Sequence, residues 1–309
     1  MLSFKAGSSH DVVLLSFSPD AGVLAVGLEW QRTELRAPTT GELLFAVDNG
    51  SGRDALCWGG PNRRTLFVNR HSGGIIRLDP DEARVLPPLP GWVGTGSTCF
   101  TSDGRYGVNT RDRYRDPTLA CWKRTDDGFQ SVWTRPVDAT SGAAARTLHG
   151  FLPDDDHFAY SERRGRYNEG LTLVVASRTD PADVAEAHFP NQSIGYHGAS
   201  PDGTWLALGA GYGPSIYVFR ADDLAAKPIR LTGKSRKHYT GLAFHPSGRF
   251  LAATSNDETV TFFDTHTFAE ARTYMWKIGR LRSVAFSPDG ALAAVGSDTG
   301  KVVVWDVDV

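Results

Sequence analysis

The sequence predicts an all-β chain closed into a ring of seven four-stranded antiparallel sheets. Three observations lead there: one turn signature recurs seven times, its recurrences are spaced by about the length of one four-stranded meander, and the two ends of the chain supply complementary parts of a single sheet. The signature is clearest in the last stretch, Ser283 to Val309, SVAFSPDGALAAVGSDTGKVVVWDVDV. An alternating run through Val284 and Phe286 is broken by Ser287-Pro288-Asp289-Gly290. There Pro presets φ, Asp bonds its own backbone and Gly accepts a left-handed conformation. A second apolar run, Ala291 to Gly296, ends at another turn, Ser297 to Gly300. A third, Val302 to Trp305, is rich in β-branched and aromatic residues, as strands are.

The other copies follow in chain order. Phe17-Ser-Pro-Asp precedes VLAVG, and Trp58-Gly-Gly-Pro-Asn precedes TLFVN. Phe100-Thr-Ser-Asp-Gly precedes RYGVN, and Phe151-Leu-Pro-Asp-Asp precedes HFAYS. Ala199-Ser-Pro-Asp-Gly precedes TWLALG, and Phe244-His-Pro-Ser-Gly precedes RFLAAT. Anchor to anchor, from Phe17 to Phe286, the intervals are 41, 42, 51, 48, 45 and 42 residues. From Phe286 through Val309 and round to Phe17 the interval is 40, close to the shorter ones. The last unit is therefore completed by the N-terminus, with Leu2-Ser-Phe-Lys as its outer strand. A sheet of this kind buries both faces only against neighbours, so an open array would leave two apolar sheets exposed. The expectation is a single domain, residues 1–309, folded as a seven-bladed β-propeller of four-stranded antiparallel blades.

The repeat resembles that of the WD-repeat family: Phe286-Ser-Pro-Asp-Gly, then Ser297-Asp298-x-Gly300-x-Val302, then Trp305-Asp306. The resemblance covers the whole chain, with departures. The other blades read Phe263-Asp264, Phe219-Arg220, Trp122-Lys123 and Leu78-Asp79 where the last has Trp-Asp. The family's Gly-His pair is almost absent, His10 being the nearest match. The Asp-His-Ser-Trp hydrogen-bond network typical of the family therefore does not carry over to most blades. Apolar packing between blades is expected to hold the ring. The Ser-Pro-Asp-Gly turn is also similar to the repeats of periplasmic TolB-like propellers, particularly over Gly195 to Phe219; that alternative predicts six blades and an export signal.

Composition agrees with many short strands and tight turns: 33 Gly, 17 Pro, and 8 Trp, 9 Tyr and 16 Phe. A net charge of −2 gives no overall bias toward nucleic acid or a membrane surface. No apolar run reaches the ~18 residues of a membrane helix, and the first residues do not read as a signal peptide. The expectation is a cytoplasmic protein, monomeric on its own, with Cys57, Cys99 and Cys121 as reduced and mostly buried thiols.

Naming the strands of each blade a to d from the channel outward, a meander puts the a–b and c–d turns on one face and the b–c and d–a connections on the other. The first face collects acids, among them Asp20, Asp103, Asp154 to Asp156, Asp202 and Asp289, with Asp79, Asp81, Glu82, Asp180, Asp183, Asp222 and Asp223. Asp is also simply a good turn former. The second face collects bases with aromatics. The b–c loops of the third and fourth blades carry Arg111, Arg113, Tyr114 and Arg115, and Arg163, Arg164, Arg166 and Tyr167. The d–a connections carry Lys234, Arg236, Lys237 and Tyr239, then Trp276, Lys277 and Arg280. Trp30, Gln31, Arg32, Trp92 and Tyr212 add to it. A solvated polar rim would look similar. Arg, Tyr and Trp are nonetheless the residues enriched at interaction hot spots, and Arg grips carboxylate or phosphate in a bidentate way.

The chemistry expected is recognition without catalysis. The residues expected to bind a protein or an acidic or phosphorylated peptide are Trp30, Arg32, Arg111, Arg113, Tyr114, Arg115, Arg163, Arg164, Arg166, Tyr167, Lys234, Arg236, Lys237, Tyr239 and Trp276. The net charge disfavours nucleic acid as a partner. No G-x-S-x-G, H-E-x-x-H or P-loop occurs, and no cofactor is expected. The alternative is a propeller enzyme of the lactonase or hydrolase type, acting at the channel mouth. His149 and His197 stand two residues before their anchors, where the other blades have Leu15, Leu56, Thr98, Leu242 and Val284. The repeat lets them face each other across one gap between blades or point into the channel; they read as a buried hydrogen-bonded pair, with a metal or ligand site as the other reading.

Overall fold

The computed structural model describes residues 1–307 apart from 8–9, 30–31, 49–55, 60–63, 70–74, 89–90, 92–97, 111–117, 136–143, 164–169, 181, 190–193, 212 and 234–237; for Asn69, 144–146 and Arg163 it describes the backbone alone. After β1 (Leu2–Lys5), the first blade is β2 (Val12–Phe17), β3 (Leu24–Leu28), β4 (Arg32–Arg36) and β5 (Leu43–Asp48). The second is β6 (Leu56–Gly59), β7 (Thr65–Asn69), β8 (Ile75–Asp79) and β9 (Arg84–Leu86). The third is β10 (Thr98–Phe100), β11 (Tyr106–Thr110), β12 (Leu119–Thr125) and β13 (Gly128–Arg135). The fourth is β14 (Ala144–Phe151), β15 (His157–Arg163), β16 (Leu171–Ser177) and β17 (Val184–Phe189). The fifth is β18 (Ile194–Ala199), β19 (Trp205–Ala210), β20 (Ser215–Arg220) and β21 (Ile229–Thr232). The sixth is β22 (Tyr239–Phe244), β23 (Phe250–Ser255), β24 (Thr259–Asp264) and β25 (Glu270–Met275). The seventh joins β26 (Leu281–Phe286), β27 (Leu292–Ser297) and β28 (Lys301–Asp306) to β1, in the order β1-β28-β27-β26. All seven sheets are four-stranded, which rules out the six-bladed alternative.

The strands differ as their positions demand. The second and third strands lie between neighbouring blades, so both their faces are covered: every residue of β23 is buried, and all but the last of β24. Their runs of Ala, Val, Thr and Phe are what such a double-sided burial needs. The outermost strands are exposed, as in β25, where only Tyr274 is half-buried. Aromatic anchors meet across the blade boundaries. Phe262 packs edge-on against Phe286 with ring centres 5.9 Å apart, and Phe67 stacks on Phe100 at 4.4 Å. Removing a fully buried ring such as Phe262, 1% exposed, would cost about 3–5 kcal/mol.

One turn conformation recurs because its side chains close it. The hydroxyls of Ser18, Thr101, Ser200 and Ser287 donate to Asp20, Asp103, Asp202 and Asp289 at 2.6, 2.7, 2.5 and 2.5 Å. Gly290 follows at φ 75°, the left-handed conformation that this turn requires.

Packing is not alone in fixing the blades. On the opposite face the b–c turn is sewn to the incoming d–a segment by a backbone bond: Glu29 N–H to Asp11 O at 2.9 Å, Asn256 N–H to His238 O at 3.0 Å and Asp298 N–H to Arg280 O at 2.9 Å. These stand where the family's side-chain network would be. The Trp305 indole N–H has no partner among the described residues, whereas Trp122 in the third blade donates to Asn109 Oδ1 at 2.9 Å.

Ring closure is antiparallel and in full register, with Leu2, Ser3, Phe4 and Lys5 opposite Val304, Val303, Val302 and Lys301. The first blade holds this strand through a buried carboxylate. Glu34 is fully buried, accepts from Gly7 N–H at 3.1 Å and from Arg36 Nε at 2.7 Å, and is also paired with Arg32. Arg36 in turn lies over the Phe4 ring, 5.0 Å from its centre, and donates to Gly41 O at 2.6 Å and Lys5 O at 3.4 Å. Breaking a buried ion pair from one side leaves a charge without compensation, which costs about 3–5 kcal/mol. Glu34→Ala is therefore expected to lower the unfolding free energy by about 3 kcal/mol. Deletion of residues 1–7 is expected to lower the melting temperature by on the order of 10 °C. Urea and thermal denaturation followed by circular dichroism check both, and a deletion variant with unchanged stability would show that the seventh sheet does not need its fourth strand.

Candidate functional site at the channel mouth

The first strands of the blades, β2, β6, β10, β14, β18, β22 and β26, surround the channel. Where four of them begin, on the face of the b–c and d–a connections, lies a cavity of about 430 Å³. Its wall combines Asp11, Leu15, Tyr196, His197, His238, Tyr239, Asn256, Arg280, Arg282 and Val284.

A bulge repeated at one place in the fold shapes this wall. The pairing of first with second strand shifts register between Val12 and Leu14, Ile194 and Tyr196, Tyr239 and Gly241, and Leu281 and Ser283. The extra residues, Val13, Gly195, Thr240 and Arg282, all line the cavity. A bulge re-aims the side chain it adds, so these four positions reach the mouth in place of continuing the alternation. Two glycines make room: a Cβ on Gly195 would stand 2.8 Å from Gly211 Cα, and one on Gly209 would fall within the Tyr196 ring.

The polar groups of the wall are mostly donors. Arg282 Nε lies 3.0 Å from Asp11 Oδ2, an ion pair that uses the carboxylate of Asp11. Arg280 is exposed and has no ion-pair partner among the described residues. The Tyr196 hydroxyl is buried and has no hydrogen-bond partner among the described residues. Burial pushes the Tyr196 phenol far up, with Tyr239 adding to the effect, and pushes Tyr239 up to about 12, so both stay neutral. The remaining hydroxyls are committed: Ser283 donates to Val12 O at 2.8 Å and Thr240 to Leu281 O at 2.6 Å.

Three of the residues expected from sequence to form the binding face are described with their side chains, and none stands free on the rim. Tyr239 is only 2% exposed; its ring packs edge-on against Phe263 at 6.1 Å while lining the cavity. Trp276 is half-buried on Tyr274 and Trp305, at 6.0 and 4.9 Å between ring centres. Arg32 belongs to the Glu34 clamp. Each carries an apolar body or a buried countercharge that a reading of loop positions alone does not reveal. Trp30, Arg111, Arg113, Tyr114, Arg115, Arg164, Arg166, Tyr167, Lys234, Arg236 and Lys237, and the side chain of Arg163, lie outside the described residues. Val13, Thr240 and Arg282 were missed, because a bulge leaves no sequence signal in an otherwise alternating strand.

His149 and His197 do face each other, with Nδ1 atoms 3.3 Å apart and ring centres at 4.7 Å. His149 is 8% exposed, whereas His197 is open to the cavity. Desolvation among the converging first strands holds both imidazoles below the ordinary range, at His197 beside the open cavity as well as at buried His149, where the neighbouring ring adds to it.

The opposite face is acidic for structural reasons. Its aspartates close their own turns, and Ser18, Ser200 and Ser287 hold the carboxyls of Asp20, Asp202 and Asp289 below the usual range. Others bridge elements: Arg64 joins Asp20 at 2.6 Å to Asp81 at 2.7 Å, and His157 joins Asp154 at 2.5 Å to Asp183 at 2.9 Å. The three cysteines are unpaired thiols, Cys99 and Cys121 buried and Cys57 half-buried. Among the described residues no three His, Cys, Asp or Glu side chains gather as metal ligands, and no helix is long and apolar enough to cross a membrane.

Architecture and site together define a class: a seven-bladed propeller with a cavity at one mouth of its channel. Residues 229–264 and 277–306, which span β21 to β24 and β26 to β28, match the family model described as WD domain, G-beta repeat. The chain is 30% identical over 138 residues to the serine-threonine kinase receptor-associated protein of Rattus norvegicus, covering 45% of this chain and 38% of that protein. It is 24% identical over 306 residues to the ribosome biogenesis protein BOP1 of Rattus norvegicus, covering 96% of this chain and 38% of that one. It is 31% identical over 116 residues to the telomerase Cajal body protein 1 of Homo sapiens, covering 35% and 20%. The chain thus matches well under half the length of each relative. Two stretches of the chain thus match the WD-repeat model, within a ring of seven four-stranded blades that is similar to a WD-repeat β-propeller.

The His157 bridge has a pH signature. Burial opposes its charge, but the two carboxylates prevail and raise its pKa above the ordinary 6.5. A protonated His157 therefore favours the folded state. Its contribution is complete below pH 6.5 and is lost as pH rises through the raised value. Melting temperatures from pH 5.5 to 8.5 are expected to show His157→Gln losing less stability than the parent on the alkaline side, by less than about 1 kcal/mol.

Proposed function

We propose that this chain is a non-catalytic interaction platform, working in the cytoplasm, that holds an acidic or phosphorylated segment of a partner protein on the face of its b–c and d–a connections. An acidic side chain of that segment enters the cavity at the channel mouth. The observation that carries this is the excess of donors in the wall. Among the described residues Arg280 has no countercharge, the Tyr196 hydroxyl has no acceptor, and the one lining carboxylate, Asp11, is used by Arg282. A donor-rich pocket favours an acceptor-rich occupant, and charge-assisted bonds to carboxylate or phosphate are the strong ones. In the sequence, Arg111, Arg113, Arg163 and Arg166 offer further guanidinium groups of the same chemistry. Similarity to WD-repeat proteins supports protein recognition as the general role. Ser283, a serine of the wall, already donates its hydroxyl to Val12 O, which favours binding over hydrolysis.

Fluorescence anisotropy tests this with a labelled Glu-Ser repeat peptide, its phosphoserine form and a Lys-Ser control. The acidic peptides are expected to bind, more weakly as salt is raised. Arg280→Glu, and the combined change of Arg111, Arg113, Arg163 and Arg166 to Glu, are each expected to weaken binding at least about tenfold with the melting temperature unchanged. Equal binding by the charge-reversed variants would reduce this face to a solubilising rim.

A further inference from the structure

The fourth and fifth blades place imidazoles where the other five have Leu15, Leu56, Thr98, Leu242 and Val284, so the pair is a departure from the repeat and not part of its packing. Its geometry is specific. The Nδ1 atoms stand 3.3 Å apart, and two nitrogens bound to one tetrahedral zinc at ~2.0–2.1 Å stand about 3.3–3.4 Å apart. The ring centres, at 4.7 Å, are farther apart than the nitrogens but by much less than two rings meeting head-on would require. The planes cross at 55°. The imidazoles are therefore offset from a head-on approach, with Nδ1 facing Nδ1 across the gap.

We infer that His149 and His197 form a two-imidazole site for a divalent cation of zinc type, set in the gap between the fourth and fifth blades. The cavity that His197 lines supplies water for the remaining two positions. Imidazole suits zinc, copper and nickel over magnesium or calcium. Each ring stays neutral when the ion binds and keeps its single proton on Nε2, so the metal-free pair needs only to move one proton from Nδ1 to Nε2 of the same ring. His149 Nε2 has no partner among the described residues, so the usual outer-shell support is missing. That support is worth about 10–100-fold in affinity, which places this site among weakly held ions and not structural ones. The inference does not depend on the acidic-partner reading of the same face.

The test uses the whole chain stripped with a chelator at pH 7.5. Zn²⁺ is titrated by calorimetry, and Co²⁺ by its visible absorption, which is intense when the ion is tetrahedral. One Zn²⁺ per chain and a tetrahedral Co²⁺ band are expected. Both are expected to be lost, or weakened at least about tenfold, in His149→Ala and in His197→Gln, and kept in His157→Gln. His197 faces the cavity, so His197→Gln carries the test if the buried change at His149 impairs folding. The inference is overturned by the absence of a saturable single site, by an octahedral Co²⁺ spectrum, or by undiminished uptake in a folded His197→Gln protein.

Discussion

Every part of this molecule depends on one constraint: a four-stranded blade has two apolar faces and can cover them only with its neighbours. A ring satisfies that condition where a row cannot, but a ring needs a joint. Here the joint is four residues of the N-terminal strand laid against β28. Nonspecific burial alone would let such a short strand slip, since a shift of one residue turns its side chains over. The Glu34–Arg36 pair removes that freedom. It grips the backbone at Gly7 and Lys5 and the ring of Phe4 from the adjacent blade, so register and closure are set together.

The cavity at the channel mouth follows from the same geometry. Seven first strands converge on a channel, and their starts form its mouth. Bulges at matching places in four blades turn Val13, Gly195, Thr240 and Arg282 into that space. The mouth is asymmetric: Leu15, Leu242 and Val284 give apolar wall, while His197 interrupts it in the fifth blade. The two faces of the disc thus differ in kind. Aspartates on one are spent on closing turns, whereas donors on the other are left over.

Much of this was legible in the chain itself. Seven Ser-Pro-Asp-Gly-like turns and the 40-residue interval around the ends specify both the number of blades and the pairing of Leu2 to Lys5, because turn chemistry is local and spacing survives sequence drift. That His149 and His197 are neighbours was also readable from their equivalent positions in successive blades, but the choice between a shared gap and the channel came from the structure, which brings their Nδ1 atoms to 3.3 Å. What could not be read depends on long-range contacts. Tyr239 and Arg32 sit at loop edges and look like surface residues; only the structure shows the ring beside Phe263 and the carboxylate buried beneath the guanidinium. The backbone bonds that sew Asp11, His238 and Arg280 to the b–c turns involve no particular side chain, so no residue pattern announces them.

The closure strand also has a history during synthesis. Its partner, Lys301 to Val304, lies about 300 residues downstream, and translation at ~5–20 residues per second leaves Leu2 to Lys5 waiting for on the order of half a minute. Through that interval the first blade is formed but one of its faces is bare, and the waiting strand is an unpaired edge open to any passing backbone. The ring is therefore most vulnerable to aggregation before its two ends meet, and a chaperone that shields the first blade would act on the step at which this protein is most easily lost.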